Sequence, residues 1–127
     1  MAALEQVHSD IAPAAIGPYS QAIKTGSLVF LSGQIPLDPE SMEIISDDVA
    51  EQTHQVFKNL MAVAESAGGS LSNVAKLTIY VTELGDFALI NEIMAGYFSK
   101  PYPARATIQV SALPKESRVE IDAVLAL

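Results

Sequence analysis

The sequence predicts an α+β fold in which a mixed β-sheet is covered on one face by two helices. Two segments carry apolar residues at helical spacing, and several others alternate apolar and polar residues as half-buried strands do. Their order along the chain is β-β-α-β-α-β-β. At 127 residues, with neither a linker nor a low-complexity stretch, the chain is expected to form one domain over residues 1–127. Amphipathic helices need a sheet face to cover, so the opposite face is expected to contact other subunits.

The first expected unit is a β-hairpin over residues 19–34. Thr25, Gly26 and Ser27 supply turn residues, and the segment LVFLS that follows them is rich in strand formers. Residues 36–47 contain two prolines and several acidic residues, so a loop with at most a short strand is predicted there.

The clearest helix is predicted over residues 49–67. Asp48, followed three residues later by Glu51, resembles a capping box, which satisfies free N–H groups of the first helical turn. Gly68 and Gly69 are expected to end the helix because glycine readily adopts the positive φ of a helix terminus. The expected buried stripe comprises Val49, Val56, Leu60, Val63, Ala64 and Ala67.

The second half of the chain is expected to add three strands and a helix. Residues 73–82 alternate and contain β-branched side chains, which is typical of a strand. Asp86 is expected to cap a helix over residues 87–98. Two final strands are predicted over about 104–110 and 117–125, joined by the segment SALPKE. The expected buried stripe of the second helix comprises Phe87, Ile90, Met94 and Phe98.

Composition and charge narrow the class of function. The formal net charge is −8, from 15 acidic and 7 basic residues, and the sequence contains no run of Lys or Arg. Phosphate neutralisation supplies most of the affinity of nucleic-acid binders, so neither nucleic acid nor an anionic membrane is expected as a partner. Because the chain lacks cysteine, disulfides, a thiolate nucleophile and cysteine-based metal sites are excluded. Charged residues make up 17% of the chain, below the roughly 25% of typical soluble domains, which favours an oligomer.

The amino-terminal segment MAALEQVHSD has neither a basic start nor an apolar core, so no signal peptide is expected. No apolar run approaches the roughly 18 residues that a membrane-spanning helix requires. We therefore expect a soluble cytoplasmic protein.

Arg105 interrupts the segment YPARATIQV, which otherwise has the pattern of a strand. Strand alternation places Arg105, Thr107 and Gln109 on one face. If the last two strands form an antiparallel hairpin with Glu120 opposite Thr107, Arg105 and Glu120 share a face, one diagonal step apart. The two residues then form an ordinary ion pair, worth ~0–1 kcal/mol if exposed. Alternatively, the guanidinium grips a substrate carboxylate and the glutamate is free to move a proton.

Other residues indicate chemistry less directly. His8 and His54 stand alone, without the spacing of a metal site, and each is expected to be a surface or packing residue. Tyr19 follows a Gly-Pro turn and is interpreted as a core or interface aromatic. Asn91 is interpreted as a hydrogen-bonding residue on a helix face. The sequence contains no nucleophile elbow, P-loop or dinucleotide-binding motif.

Four segments, taken together, resemble one known family. They are APAAIGPYSQAI, LSGQIP, AGGSLSNVAKLTIYVTELGDFALIN and YPARATIQVSALPKESRVEIDAV, in this order, from about residue 12 to residue 125. The carboxy-terminal pattern of P-A-R, then V-x-x-L-P, then V-E-I-[DE]-A is the most specific. By these segments the chain resembles the RidA (YjgF) family of reactive intermediate/imine deaminases.

The resemblance implies a chorismate-mutase-like α+β fold, a homotrimer and pockets at the subunit interfaces. It also implies the activity of a 2-iminobutanoate/2-iminopropanoate deaminase, which serves detoxification. Such enzymes hydrolyse 2-aminoacrylate and 2-aminocrotonate, through their 2-imino acid tautomers, to 2-keto acids and ammonia. Pyridoxal-phosphate dehydratases release these reactive species, and the hydrolysis needs neither a cofactor nor a metal.

The resemblance also implies roles for individual residues. Arg105 falls on the family's arginine, which holds the substrate carboxylate, and Glu120 falls on the glutamate that acts on a water molecule. The family often has cysteine at position 107, where this chain has threonine, and this departure bears on the substrate range. The positions that line or shape the pocket are Tyr19, Ser32, Gly33, Asn91, Arg105 and Thr107.

Two other functions remain as alternatives. The first is a non-enzymatic small-molecule binder or chaperone-like protein on the same scaffold, although family members of that kind lack the arginine that this chain keeps. The second is RNA cleavage, which is attributed to some relatives. The net charge of −8 argues against an endoribonuclease, because each phosphate contact requires a cation.

Overall fold

The computed structural model of the chain describes residues 3–127. Within them are six strands, two α-helices and short 3-10 turns at 71–73, 84–86 and 114–116. The predicted α+β class is confirmed. Neither of these helices is long and apolar enough to cross a membrane. The strands and helices are β1 Glu5–Val7, β2 Ala22–Thr25, β3 Leu28–Gln34, α1 Val49–Ser66, β4 Val74–Val81, α2 Phe87–Ala95, β5 Ala104–Gln109 and β6 Val119–Ala126.

All six strands belong to one sheet, in the order β1-β2-β3-β6-β4-β5. Neighbouring strands are antiparallel except β4 and β5, which are parallel. Two parallel strands need a crossover connection, and α2 lies in the connection between β4 and β5. This one parallel pair makes the sheet mixed, as predicted.

The predicted hairpin near the amino terminus is present as β2 and β3. Thr25 lies opposite Leu28, and Gly26 in the turn has a φ of +60°, which glycine adopts without the steric cost of a Cβ. Strand β1 is an addition to the predicted elements. Its three residues, two of which are exposed, are too few to show the alternation of a strand.

Helix α1 forms with the predicted termini. The Asp48 carboxylate accepts a hydrogen bond from the N–H of Glu51 at 2.9 Å, and Gly68, just beyond the helix, has a φ of +92°. Phe57 and Leu60 of this helix are fully buried in the hydrophobic core. Burial of a large apolar side chain is worth roughly 1.5–3 kcal/mol, so the apolar stripe of α1 anchors the core.

Helix α2 begins at Phe87 as predicted, but its cap and its last residue differ from the prediction. Asp86 lies in a 3-10 turn with helical backbone angles and makes no capping hydrogen bond, so the predicted cap is wrong. Its carboxylate instead binds Nη2 of Arg118 at 3.2 Å. The helix ends at Ala95 rather than at residue 98 because Gly96 follows, and glycine is a weak helix former.

The predicted hairpin between the last two strands is wrong. Strand β4 lies between β5 and β6, and its apolar alternation suits a central position in which both strand edges are paired. The connection over residues 110–118 carries the chain past β4. The expected pairing of Glu120 with Thr107 therefore does not form. Instead Thr107 lies opposite Ile79, and Glu120 lies opposite Tyr80.

The hydrophobic core lies between the helices and one face of the sheet, where Leu77, Ile79 and Ile121 are 0% exposed. Among residues 3–127, no further layer covers the other face, which we name the open face. Two of its apolar side chains, Phe30 and Ile108, are 47% and 46% exposed. The side chains of the open face include Phe30, Thr78, Tyr80, Ile108, Glu120, Asp122 and Val124.

Candidate active site

Arg105 projects from β5 on the helix side of the sheet, where it lies beside Leu77 of the neighbouring strand β4. Its Nη1 donates hydrogen bonds to Oδ1 of Asn91 and, at 3.6 Å, to Sδ of Met94. The centre of the guanidinium lies 4.9 Å from the ring centroid of Phe87, within the range of a cation–π contact. Three side chains of α2 therefore hold the head group of Arg105.

Helix geometry explains how three side chains of α2 reach one guanidinium. Phe87, Asn91 and Met94 are spaced by four and then three residues, so they follow one another along a single helix face. Phe87 and Met94 belong to the predicted buried stripe, and Met94 is buried. The stripe that packs on the core thus also contacts Arg105.

Within residues 3–127, the hydrogen bonds and the ring contact of the Arg105 guanidinium are all with uncharged groups. The other arginine of the chain, Arg118, is paired with Asp86, whereas within residues 3–127 no carboxylate forms an ion pair with Arg105. The interpretation of Arg105 and Glu120 as an ordinary ion pair is therefore wrong. Both hydrogen bonds of the guanidinium use Nη1, which leaves the edge formed by Nε and Nη2 for a bidentate contact.

Arg105 lines a cleft of about 430 Å³. This volume is within the roughly 300–1,000 Å³ that small-molecule sites occupy. The guanidinium, the amide of Asn91 and the phenol of Tyr102 are its charged and polar side-chain groups, and the other lining side chains are apolar. The cleft therefore suits a small anion with a short hydrocarbon part. Its remaining lining residues are Met94, Ala95 and Pro103.

Glu120 projects from β6 on the open face, opposite Tyr80. It lines a second, smaller cleft of about 170 Å³, together with Tyr19 and Gly33. The pairing of β3 with β6 shifts in register next to Gly33. A Cβ built on Gly33 would lie 2.5 Å from Oε2 of Glu120, so only glycine fits there without displacing the carboxylate.

The environment of Glu120 favours its protonated form. Burial raises the pKa of the Glu120 carboxyl above its ordinary value, and the negative charge of Asp122 raises this pKa further. A glutamate shifted in this direction exchanges protons closer to neutral pH than an exposed glutamate does. It is therefore suited to general acid–base chemistry.

Arg105 and Glu120 lie on opposite faces of the sheet. Arg105 is level with Leu77, whose side chain enters the core, whereas Glu120 is level with Tyr80 on the open face. The expectation that the two residues share a face is wrong, because it depended on a hairpin that does not form. One copy of the chain therefore presents these two groups in two separate clefts.

Three other predicted site residues each line one or the other of these two clefts. Asn91 lines the cleft of Arg105, whereas Tyr19 and Gly33 line the cleft of Glu120. The side chain of Tyr19 is not a core aromatic, since 53% of this residue is exposed. The predicted residues thus divide into two groups, each around one of the two ionisable side chains.

The other two predicted site residues, Ser32 and Thr107, are not among the lining residues of either cleft. The hydroxyl of Ser32 donates a hydrogen bond to the carbonyl of Ser20 at 2.6 Å, which ties β3 to the segment before β2. Thr107 lies on the same face of β5 as Arg105, two residues further along. Its buried Oγ1 has no hydrogen-bond partner in the described part of the chain.

Several residues around the clefts are not among the predicted site residues. The helical spacing of Phe87 and Met94 indicates a buried stripe but not the strand residue that the stripe contacts. Asp122 could have been found, because strand alternation places it on the same face as Glu120. Tyr80 could not, because its position opposite Glu120 depends on the order of the strands.

Fold and site together define a small α+β protein with an arginine-lined cleft of small-molecule size and a separate glutamate-lined cleft. The model of the family described as endoribonuclease L-PSP matches residues 9–127. The chain belongs to this family, which is the YjgF/RidA family, and the resemblance found in the sequence is confirmed.

Relatives match nearly the whole chain. The RutC family protein y4sK of Sinorhizobium fredii is 52% identical, over 98% of this chain and 98% of its own length. A human protein named 2-iminobutanoate/2-iminopropanoate deaminase is 47% identical, over 89% of this chain and 82% of its own length. The crystal structure of RidA from an Antarctic Psychrobacter species superimposes with a TM-score of 0.93 at 48% identity, covering 97% of this chain and 99% of that one.

Proposed function

We propose that the protein is a 2-iminobutanoate/2-iminopropanoate deaminase, which hydrolyses reactive 2-imino acids to 2-keto acids and ammonia. The substrates are the tautomers of enamines that pyridoxal-phosphate enzymes release. Relatives that carry this deaminase name are 39% to 47% identical to the chain, which supports the proposal.

The observation that carries the proposal is the state of the Arg105 guanidinium. It is held by uncharged groups in a cleft of small-molecule size, and no carboxylate between residues 3 and 127 pairs with it. An arginine that served stability alone would be expected to have an acidic partner, as Arg118 has in Asp86. A 2-imino acid supplies the missing carboxylate, and a charge-assisted hydrogen bond to it is worth roughly 1.5–3 kcal/mol.

We propose further that two copies of the chain form each complete site, within a homotrimer. Arg105 and Glu120 project from opposite faces of the sheet, so one copy does not bring both to the same substrate. A second copy can supply Glu120 if its open face is brought against the Arg105 cleft of the first. Phe30 and Ile108 give the open face exposed apolar area of the kind that subunit contacts bury.

In the proposed reaction, the substrate carboxylate pairs with Arg105 of one copy and the imine carbon faces Glu120 of the other. The oxygen of a water molecule bonds to the imine carbon while Glu120 accepts a proton from this water. The π bond of C=N breaks, and the imine nitrogen takes a proton from solvent water. The resulting carbinolamine is protonated on nitrogen by Glu120 or by water. Cleavage of the C–N bond and loss of the hydroxyl proton then release ammonia and the 2-keto acid.

The protein needs to increase the rate of this hydrolysis only modestly, because the imine carbon is already electrophilic. Positioning of the substrate by the guanidinium and one proton relay are the means that the site offers. Thr107 lies two residues from Arg105 on the same face of β5, and we propose that it shapes the wall of the substrate site.

A coupled assay tests the proposal. A threonine dehydratase generates 2-iminobutanoate in situ, and the disappearance of this imine is followed with and without the protein. We expect the parent protein to accelerate the loss of imine, and the Arg105→Ala variant at equal concentration to give the uncatalysed rate. The proposal is wrong if the parent gives no acceleration, and the role of Arg105 is wrong if the variant matches the parent.

The same assay separates the other candidate functions. If 2-keto acids raise the melting temperature of the parent while the imine decays at its uncatalysed rate, the protein is a small-molecule binder. The family description names RNA cleavage, but the charges of this chain oppose it. Of the two arginines, Arg118 is engaged by Asp86, and the net charge of −8 opposes phosphate binding.

A further inference from the structure

Three ionisable side chains meet on the open face beside the Glu120 cleft. Glu120 and Asp122 are two residues apart on β6, so both project from the same face. Tyr80 lies opposite Glu120 on β4, and its phenol O–H donates a hydrogen bond to Oδ2 of Asp122 at 3.0 Å. The proposed reaction uses only Glu120 and gives no role to the other two.

The nearby cations of the described chain are engaged elsewhere or form no ion pair with these carboxylates. Arg118 precedes Glu120 on the chain, but its guanidinium binds the Asp86 carboxylate and the carbonyl of Asp47. Lys76 lies on the open face of β4, level with Val124, and makes no ion pair.

The remaining charged or titratable neighbours of Glu120 lie in the loops. Lys115, in the 3-10 turn before β6, donates its ammonium hydrogen to the carbonyl of Met42 at 3.2 Å. Tyr19 lines the cleft together with Glu120. The carboxylate of Asp122 is therefore the principal charge that Glu120 meets.

We propose that the Tyr80–Asp122 pair is a positioning unit that sets the pH range over which Glu120 exchanges protons with water and substrate. This inference rests on the proposed function. Asp122 is not expected to touch the substrate, and it acts through its charge on the neighbouring carboxyl group. Tyr80 fixes the carboxylate of Asp122 in place and stabilises its negative charge through the phenol hydrogen bond.

The electrostatics of the cluster agree with this role. The half-buried Glu120 carboxyl has a raised pKa because of burial and because of the Asp122 charge. The pKa of Tyr80 is also raised, by burial first and then by its bond to Asp122 and by the two nearby carboxylates. Tyr80 therefore remains a neutral hydrogen-bond donor at physiological pH, which its role requires.

The test is the pH dependence of Glu120 in four forms of the intact protein: the parent, Asp122→Asn, Tyr80→Phe and the double variant. The first readout is the ¹³C NMR titration of the glutamate carboxyl carbons, with Glu120 assigned by comparison with Glu120→Gln. The second is the pH profile of kcat/KM for imine hydrolysis. The NMR readout does not depend on any catalytic activity.

Removing the Asp122 charge lowers the pKa of Glu120, so we expect the titration midpoint of Asp122→Asn to move to lower pH. The acid limb of kcat/KM should move in the same direction, since Glu120 acts as a base in its ionised form. At a pH below the midpoint, kcat/KM of each protein is expressed as a fraction of that protein's own plateau value. This fraction should be roughly two-fold or more higher for Asp122→Asn than for the parent.

Tyr80→Phe is expected to act in the same direction but with a smaller shift. Without the phenol donor, the Asp122 carboxylate is neither held in place nor stabilised as an anion, so Glu120 meets less negative charge and its midpoint moves to lower pH. If Tyr80 acts through Asp122, the Tyr80→Phe change has no effect on the midpoint in the Asp122→Asn background.

Two controls separate this role from a merely structural one. Asp122→Glu keeps a carboxylate at the position and should retain the parent's profile. Glu65→Gln removes one negative charge from an exposed position on α1 and should also leave the midpoint unchanged.

Each outcome decides one of the two proposals. A Glu120 midpoint in Asp122→Asn that matches the parent's, or that moves equally in Glu65→Gln, overturns the inference whatever the hydrolysis assay shows. A midpoint that moves as expected supports the coupling of Asp122 to Glu120. If the parent then fails to accelerate imine hydrolysis, the proposed function alone is wrong.

Discussion

Gly33 and Glu120 approach one another so closely that a Cβ at position 33 would stand 2.5 Å from Oε2 of the glutamate. The approach is possible because the register between β3 and β6 shifts at this point and because glycine has no side chain. The backbone of β3 therefore forms a surface against which the candidate base rests. A substitution at position 33 can therefore displace the Glu120 side chain while residue 120 itself stays a glutamate.

Replacing Gly33 by alanine should impair hydrolysis much more than folding. The atoms in the way belong to the flexible end of Glu120, which can rotate aside, so the free energy of unfolding should change by about 1 kcal/mol or less. The displaced carboxylate should lower kcat/KM by roughly 10–100-fold. The control is Gly85→Ala, since the nearest atom to a Cβ there is 3.5 Å away. Equal activity in the two variants would contradict the placement of Glu120 in the reaction.

Asn91→Asp should inhibit the protein by giving Arg105 an acidic partner. The Oδ1 of Asn91 already accepts a hydrogen bond from the guanidinium, so an aspartate at this position would pair with the charge that the substrate needs. We expect kcat/KM to fall by about 10-fold or more, mainly through a higher KM. Asn91→Ala removes the acceptor without adding a charge and should have the smaller effect. An Asn91→Asp variant with the KM of the parent would show that Arg105 does not bind the substrate carboxylate.

The two arginines of the chain should give opposite results when each is replaced by alanine. Arg105 has no acidic partner in the described chain, so Arg105→Ala should abolish the acceleration and leave the melting temperature nearly unchanged. Arg118 pairs with Asp86, which is 16% exposed, and Arg118→Ala should cost about 1–2 kcal/mol of stability. Its KM for the imine should remain that of the parent. Thermal unfolding and the coupled assay, run on both variants, measure the two effects.

Subunit mixing tests whether two copies of the chain form each site. Arg105→Ala and Glu120→Gln should each be inactive alone, but a trimer that contains both variants has one interface with an intact arginine and an intact glutamate. Random assembly from equal amounts restores about a quarter of the sites, because roughly three quarters of such trimers are mixed and one interface in three is intact. The two variants combined after separate assembly, without subunit exchange, should remain inactive. If the randomly assembled mixture is also inactive, the two groups do not act across an interface.

The positions of the helices and most strands follow from local sequence patterns. Helix α1 could be predicted almost to the residue because its apolar spacing, the Asp48 cap and the terminal glycines all agree. The predicted cap at Asp86 fails because Arg118, far along the chain, binds its carboxylate. Strand β1 exists because it pairs with β2, a long-range contact that three residues do not reveal.

The sequence by itself determined the α+β class, the family and the two ionisable side chains on which the proposed chemistry rests, Arg105 and Glu120. These depend on residue identity and on local periodicity, which are present in the unfolded chain. Only the tertiary structure decided that Arg105 is held by α2 and that Glu120 lies on the opposite face, beside Asp122 and Tyr80. The physical reason is the order of the strands. Strand alternation gives the face of each residue relative to its own strand, whereas the insertion of β4 between β5 and β6 results from long-range pairing and core packing.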